Sequence, residues 1–251
     1  MATKKYLYGR YAQKIDVGRV RLNNEDRAQA LTNTRGNILL MVCDGMGGQN
    51  KGELAASLAV EVISQAFQEK DRFINKFFAK NWVNQVIKKA NSEIFRVASS
   101  NQSNQGMGTT LTLVLIINDY MVIAQAGDSR AYSLRARSIQ QLTEDQTYVQ
   151  YLYRIGSIKK EEIATHPKRH VLMNALGIYP SVDVDIQIHP YVNDTILVCS
   201  DGLYNNVPDK DILTILRSND TPDQKVNELV SLANSNGGSD NIAVVLWEVN
   251  E

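Results

Sequence analysis

Two stretches constrain this chain more than any other. LLMVCDGMGG runs from Leu39 to Gly48, and ILVCSDGLY runs from Ile196 to Tyr204. Each is a short apolar run bounded by turn residues, the mark of a buried strand. Each also ends by delivering an aspartate followed by glycine. A fold that accommodates both has to bury two strands and leave a carboxylate at the tip of each. With 251 residues the chain is long enough for one large core. No internal repeat, low-complexity tract or linker interrupts it, so residues 1–251 read as a single domain.

The other elements follow from periodicity. The first run gives a strand over 37–43. After it, ELAASLAVEVISQAFQ places Leu54, Leu58, Val62 and Ala66 on one face and reads as a helix. A second helix covers about 75–99, where Val83, Ile87, Ala90, Ile94 and Val97 recur at helical spacing. Residues 109–135 give strands, the first two joined by a tight turn at Asn118–Asp119. Further strands are expected at VDVDIQIHP (182–190), TILVCS (195–200) and NIAVVLWEV (241–249), and another at GRVRL (18–22). The stretch 144–180 is polar and mixed, with short helical pieces. A late helix starts at Thr221–Pro222 and ends at Gly237–Gly238. Strands cluster and the two longest helices are consecutive, which argues for an α+β fold with helices packed on sheets and against a doubly wound parallel sheet.

Charge and cysteine content exclude several classes. Lys+Arg and Asp+Glu balance at 27 each, so bulk charge gives no basic stripe for nucleic acid or an anionic membrane, and only local charge can matter. Cys43 and Cys199 are too few for a disulfide framework, match no zinc spacing, and read as small buried hydrophobes inside the two apolar runs. The start of the chain lacks the apolar core of a signal peptide, and no stretch reaches the length of a membrane-spanning helix. The expectation is a cytoplasmic protein with no membrane insertion.

Asp44, Asp128, Asp201 and Asp240 share a context: CDG, GDS, SDG and SDN, each beside a small residue at the edge of an apolar strand. Glu25 and Asp26 in RLNNEDRA add an acidic pair. If these strand ends meet, the carboxylates repel and raise one another's pKa unless cations neutralise them. Oxygen-only ligands point to Mg²⁺ or Mn²⁺. Glycine after aspartate lets the backbone bend closely, so that its carbonyl can also face a metal. The glycine loop DGMGGQNKG invites a rival reading as a phosphate loop. However, Gly45, Gly47, Gly48 and Gly52 fit neither G-x-G-x-x-G nor G-x-x-x-x-G-K-[ST], and an aspartate at the strand end would repel a pyrophosphate.

Taken together, RLNNED, VCDGMGGQNKGELAA, GMGTTLTLVLI, AGDSRAYSLR, LTEDQTYVQYLYRIGSI, THPKRHVLMNALG, LVCSDGLYNNV and GGSDNIAVVL resemble the bacterial PPM-type (type 2C) metal-dependent serine/threonine protein phosphatases, in order and over nearly the whole chain. The resemblance implies two antiparallel β-sheets packed as a sandwich and flanked by helix pairs, a four-layer αββα arrangement. It implies two Mn²⁺ or Mg²⁺ ions per active site with a possible third. Asp44 then bridges two metals, the Gly45 carbonyl binds the second, Asp201 and Asp240 bind the first, Glu25 binds near the second through water, and Asp128 with Asp201 holds the third. Arg21 holds the substrate phosphate, a task suited to a bidentate guanidinium fork. A metal-activated water would attack phosphorus in line with the seryl or threonyl oxygen. Neither cysteine sits in the Cys-x5-Arg loop of cysteine-dependent phosphatases.

Two positions depart from many relatives. Met46 stands where many have a histidine after the first Asp-Gly, so the proton donor for the leaving oxygen is unassigned; His166, His170 and His189 read as surface or loop histidines. Gln146 stands where many bacterial relatives have histidine, at the start of the variable flap that 144–180 corresponds to. The resemblance further implies a monomer acting on phosphoproteins, with a Ser/Thr kinase and its targets as partners. The alternatives are a pseudophosphatase serving as a phosphoprotein adaptor, which would be marked by loss of a metal-bridging carboxylate, and a phosphatase of partner-switching anti-sigma antagonists, for whose usual regulatory domains the chain has no room.

Overall fold

A computed structural model of the chain describes residues 9–47, 51–135 and 138–249. Two antiparallel sheets form its centre. In the first, the order is β1 (Gly9–Asp16), β11 (Ile242–Val249), β10 (Thr195–Cys199), β7 (Arg130–Arg135) and β8 (Ser138–Gln141). In the second it is β2 (Asp26–Thr32), β3 (Ile38–Met46), β5 (Leu111–Ile117), β6 (Tyr120–Ala126) and β9 (Asp185–Pro190), with the short β4 (Gly108–Thr109) paired to the end of β3. Helices α1 (Lys51–Gln68) and α2 (Lys76–Ser100) cover the second sheet; the short α3 (Tyr148–Arg154) lies in the 144–180 segment; α4 (Asp201–Tyr204), α5 (Asp209–Leu216) and α6 (Pro222–Ser235) cover the first sheet. The α+β sandwich expected from the sequence is the one observed. Among the described residues no helix is long and apolar enough to cross a membrane.

Side-chain alternation explains why β3 and β10 are apolar without interruption. Leu39, Met41 and Cys43 pack against α1 and α2, whereas Ile38, Leu40 and Val42 pack against the other sheet. Likewise Leu197 and Cys199 meet the helices of the first sheet, and Ile196 and Val198 face the seam between the sheets. A strand covered on both faces has no polar side to show. Both cysteines are buried and free. The Asn118–Asp119 turn joins β5 to β6 as expected, with Asn118 at a φ of 51°.

Three expectations need correction. GRVRL is not a strand: residues 17–25 form a loop in which Val20 and Leu22 are exposed, so no apolar face exists to seat them in a sheet. The fully buried stripe of α1 is Gly52, Ala55, Ala56, Ala59, Ile63 and Phe67, because small alanines let the helix lie close to its neighbours, while Leu58, Val62 and Ala66 of the expected face pack partly buried on its flank and Leu54 is exposed. Met46 and Gly45 continue β3 by pairing with Gly108 and Thr109, so Asp44 lies within the strand and not beyond it. Strands β1, β2 and β8 carry no clear apolar period, whereas the short helix α5 buries Ile212, Ile215 and Leu216 at helical spacing; none of the four is among the elements read from the sequence.

Candidate active site

The same alternation that builds the seam places the carboxylates. Asp44 follows Ile38, Leu40 and Val42 on the seam face of β3, and Asp26 lies directly opposite it on β2. On the other sheet Ser200 follows Ile196 and Val198 on the seam face. Its hydroxyl bridges the sheets, donating to Asp26 Oδ2 at 2.6 Å and accepting from Ala243 N at 2.8 Å. Asp26 Oδ1 is buried and has no hydrogen-bond partner among the described residues. Asp201 opens α4 one residue later, and Asp240 precedes β11.

Local bonds hold each of these in place. Thr110 Oγ1 accepts from Asp44 N (3.0 Å), while Thr110 N (2.8 Å) and Thr109 Oγ1 (3.0 Å) donate to Asp44 O. Thr110 Oγ1 also meets Ser129 Oγ at 2.9 Å, which ties the tip of β3 to the loop that carries Asp128. Asp201 Oδ2 accepts from Asn205 Nδ2 at 3.1 Å. Asn241 anchors the 17–25 loop: its Nδ2 donates to Val17 O and Asn23 O, and its Oδ1 accepts from Glu25 N, all at 2.9 Å. That loop carries Arg21, whose Nη2 lies 2.7 Å from Asp240 Oδ2. Glu25 Oε1 accepts from Gly52 N (3.2 Å), at the first turn of α1 where backbone donors have no helical acceptor. A Cβ on Gly45 would strike the Gly52 and Glu25 carbonyls, so glycine there is a requirement of close approach.

A cavity of about 960 Å³ opens at this end of the seam. Arg21, Glu25, Asp44, Gly45, Asp128, Asp201 and Asp240 all line it, joined by Met46 and by His170 and Arg169 from the 144–180 segment. Every site residue expected from the sequence is therefore brought to one cavity. The glycine loop around it is seen only in part, because Gly48 lies outside the described residues.

Burial, followed by mutual repulsion, raises the carboxyls of Asp26, Asp44 and Asp201 above the usual carboxylate range. Asp128 is pushed up to about 7 by burial, then by Asp201 and Asp145. Such a set suits a hard divalent cation: the donors are oxygens, Arg21 pairs with Asp240 while repulsion persists among the buried carboxylates, and Asp26 Oδ1 has no hydrogen-bond partner among the described residues. Among the described residues no three acidic or imidazole groups close into a ready-made cage.

Several site residues carry no role in the sequence pattern. Asp26 stands there only as half of an acidic pair. Ser200, Thr109, Thr110, Ser129 and Asn241 all lie inside the quoted motifs, and strand parity would have drawn Ser200 and Asp26 to one face. His170 is an exposed loop histidine as expected, 56% exposed, and it also lines the cavity, with Nδ1 3.9 Å from Asp201 Oδ2. Beneath Asp128, Arg130 binds Asp145 through two nitrogens (2.9 and 2.7 Å) and lies 3.5 Å over the Tyr204 ring, and Tyr204 Oη donates to Asp128 O at 3.1 Å. Gln146 fixes the root of the 144–180 segment to the same loop. Its Oε1 accepts from Gly127 N (3.0 Å) and Asn174 Nδ2 (2.8 Å), and its own N donates to Gly127 O (3.0 Å).

Comparison with known proteins identifies the family and the fold. The serine/threonine phosphatase stp of Listeria monocytogenes is 39% identical over 236 residues, covering 94% of each chain. PstP of Mycobacterium tuberculosis is 35% identical over 240 residues, 96% of this chain but 45% of PstP. The crystal structure of Stp1 from Staphylococcus aureus matches with a TM-score of 0.92 at 31% identity, covering 100% of this chain and 99% of that one. The catalytic domain of PstP in complex with two manganese ions matches with a TM-score of 0.85 at 32% identity, covering 98% and 100%. Residues 18–246 match the protein phosphatase 2C family, and the chain belongs to that family.

Proposed function

We propose that the chain hydrolyses phosphoserine and phosphothreonine in proteins, and that in the cell it opposes a serine/threonine kinase and acts on that kinase's targets. The observation that carries this reading is the meeting of Asp44, Asp128, Asp201 and Asp240, from four separate strand ends, with the Arg21 guanidinium in one cavity. Asp44, the Gly45 carbonyl, Asp201 and Asp240 would hold two Mn²⁺ or Mg²⁺ ions, with Glu25 beside the second through water and Asp128 with Asp201 at a third. When bound, these ions supply positive charge that activates water and neutralises phosphate oxygens.

The protein's own residues do the rest. Arg21, 54% exposed beside Asp240, offers a planar fork to two phosphate oxygens. Thr109 and Thr110 fix the Asp44 backbone from both sides, so its carboxylate needs little reorganisation on loading. The Glu25 contact with Gly52 keeps the start of α1 and the Gly45 carbonyl at a constant spacing. Met46 has no proton to give, so it does not take the part that histidine takes in many relatives. The same reading has a monomer at work in the cytoplasm, with 1–251 as one catalytic domain and 144–180 as a flap over the cavity.

The test is hydrolysis of a phosphothreonine peptide and of p-nitrophenyl phosphate with Mn²⁺, with Mg²⁺ and with EDTA, for the parent and for Asp44→Asn and Asp201→Asn. We expect metal-dependent turnover that falls by about a hundredfold or more in either variant. Turnover that persists in EDTA, or in both variants, would sink the reading.

A further inference from the structure

The end of the molecule away from the cavity gathers apolar and basic side chains. Helix α1 begins beside Glu25 and runs for 18 residues, about 27 Å at 1.5 Å per residue, before the chain turns into α2. Phe67, Phe73 and Trp82 form an aromatic base under this turn, with ring centroids 6.3 Å (Phe67–Trp82) and 5.1 Å (Phe73–Trp82) apart. On top of it Ile74, Phe77 and Phe78 are 68%, 68% and 58% exposed. Asn75 caps α2 by accepting from Phe77 N (2.9 Å) and Phe78 N (3.1 Å), which holds the two phenyl-bearing residues in a defined helical turn. A single exposed hydrophobe needs no explanation, but three large ones together mark a contact surface.

The charge around them is one-sided. Residues 69–89 hold Lys70, Arg72, Lys76, Lys80, Lys88 and Lys89 against only Glu69 and Asp71, in a chain with a net charge of zero. Asp71 is bound by Arg35 at 2.7 Å. Lys76 Nζ lies 5.6 Å from the Phe77 ring and Lys70 Nζ 5.8 Å from the Phe73 ring, so cation and aromatic share one surface.

We infer that this tip docks on an anionic lipid bilayer, with Ile74, Phe77 and Phe78 entering the headgroup boundary and the lysines lying among lipid phosphates. An acidic protein segment fits less well. Ile74 and Phe78 border only a small hollow of about 110 Å³ with Lys70, Arg72, Phe73 and Trp82, too small to seat a peptide segment. The groove on the flank, between Phe77, Lys80 and Lys88 on one side and 182–186 on the other, is bordered by Asp183 and Asp185, which oppose any anionic partner there and confine the basic contact to the tip. With the tip docked, α1 separates the bilayer from the cavity, and the site stays open to substrate.

The experiment is flotation of the full chain with vesicles of phosphatidylcholine alone and with phosphatidylcholine plus phosphatidylglycerol. We expect about tenfold or greater preference for the anionic vesicles, weakening with salt. Lys76→Glu with Lys80→Glu should reduce binding by about tenfold or more. Phe77→Ser with Phe78→Ser should do the same while circular dichroism and p-nitrophenyl phosphate turnover match the parent. Equal or absent binding to the two vesicle types, or unchanged binding of the phenylalanine variant, overturns the proposal. So does a dimer in sedimentation that the phenylalanine variant dissociates, which gives this face to a second copy. Saturable binding of an acidic peptide without vesicle binding overturns it as well.

Discussion

Asp26 sits across the β2–β3 pair from Asp44, with the Ser200 hydroxyl on one oxygen and no hydrogen-bond partner on the other among the described residues. Burial and its acidic neighbours raise its pKa, while in the unfolded chain it keeps an ordinary value near ~3.9. The folded protein thus holds this proton to a higher pH than the unfolded one. The associated stability is fully present below the unfolded value and is lost as pH rises through the raised one. Asp26→Asn removes that titration and keeps the shape. In metal-free protein the variant should gain stability relative to the parent from about pH 4 upward, by about 1.4 kcal/mol per pH unit, until the raised value of about 8 is reached, as read by urea unfolding. Sequence alone could single out Asp44, Asp128, Asp201 and Asp240 because each adjoins an apolar run and a small residue. It could not rank Asp26, whose strand DRAQALT hides its burial behind a mixed composition, nor bring His170 to Asp201, because that nearness is tertiary.

At the junction of β3 and α1, Gly45 and Gly52 touch backbone to backbone. Helix propensity would favour alanine at Gly52 by about 1 kcal/mol, but its Cβ would collide with the Gly45 peptide, and overpacking costs about 1–3 kcal/mol. The collision wins because both contacting groups are main chain and neither can swing away. Gly52→Ala should therefore lower the melting temperature by several degrees (~1–2 kcal/mol for a chain of this length), measured by differential scanning calorimetry, and should reduce turnover by disturbing the Glu25 contact. The existence of α1 was legible from its period. Its fully buried stripe was not, because a stripe of alanines carries little apolar weight in a pattern and becomes the inner face only through close packing. The loop 17–25 misled for the opposite reason: Val20 and Leu22 alternate like a strand but are left in solvent, since Asn241 claims the backbone groups that a sheet would have used.

Across the whole molecule, the site is divided between two sheets, with Asp44 on one and Asp201 and Asp240 on strand ends of the other. A ligand bound by both sides draws the layers together and stabilises the fold by linkage. Mn²⁺ should raise the melting temperature of the parent by several degrees, and by less in Asp44→Asn or Asp201→Asn. The double variant should lose hardly more than either single one, because the two residues hold one ligand set. An additive loss would mean independent sites. The α+β class was legible from clustered strands and consecutive helices, and the four layers from family resemblance; the strand order was not, because β1 and β2 lack an apolar period. The pairing of β1 with β11 has a mechanical side. Gly9 faces Val249 and the ladder runs from there to Asp16 and Ile242, so tension applied at the two ends loads its hydrogen bonds one after another, as in a zipper, and does not shear them together. Under a force clamp the edge strand should peel first, with an arrest where Asn241 grips the loop that carries Arg21, so that the catalytic end outlasts the opposite edge.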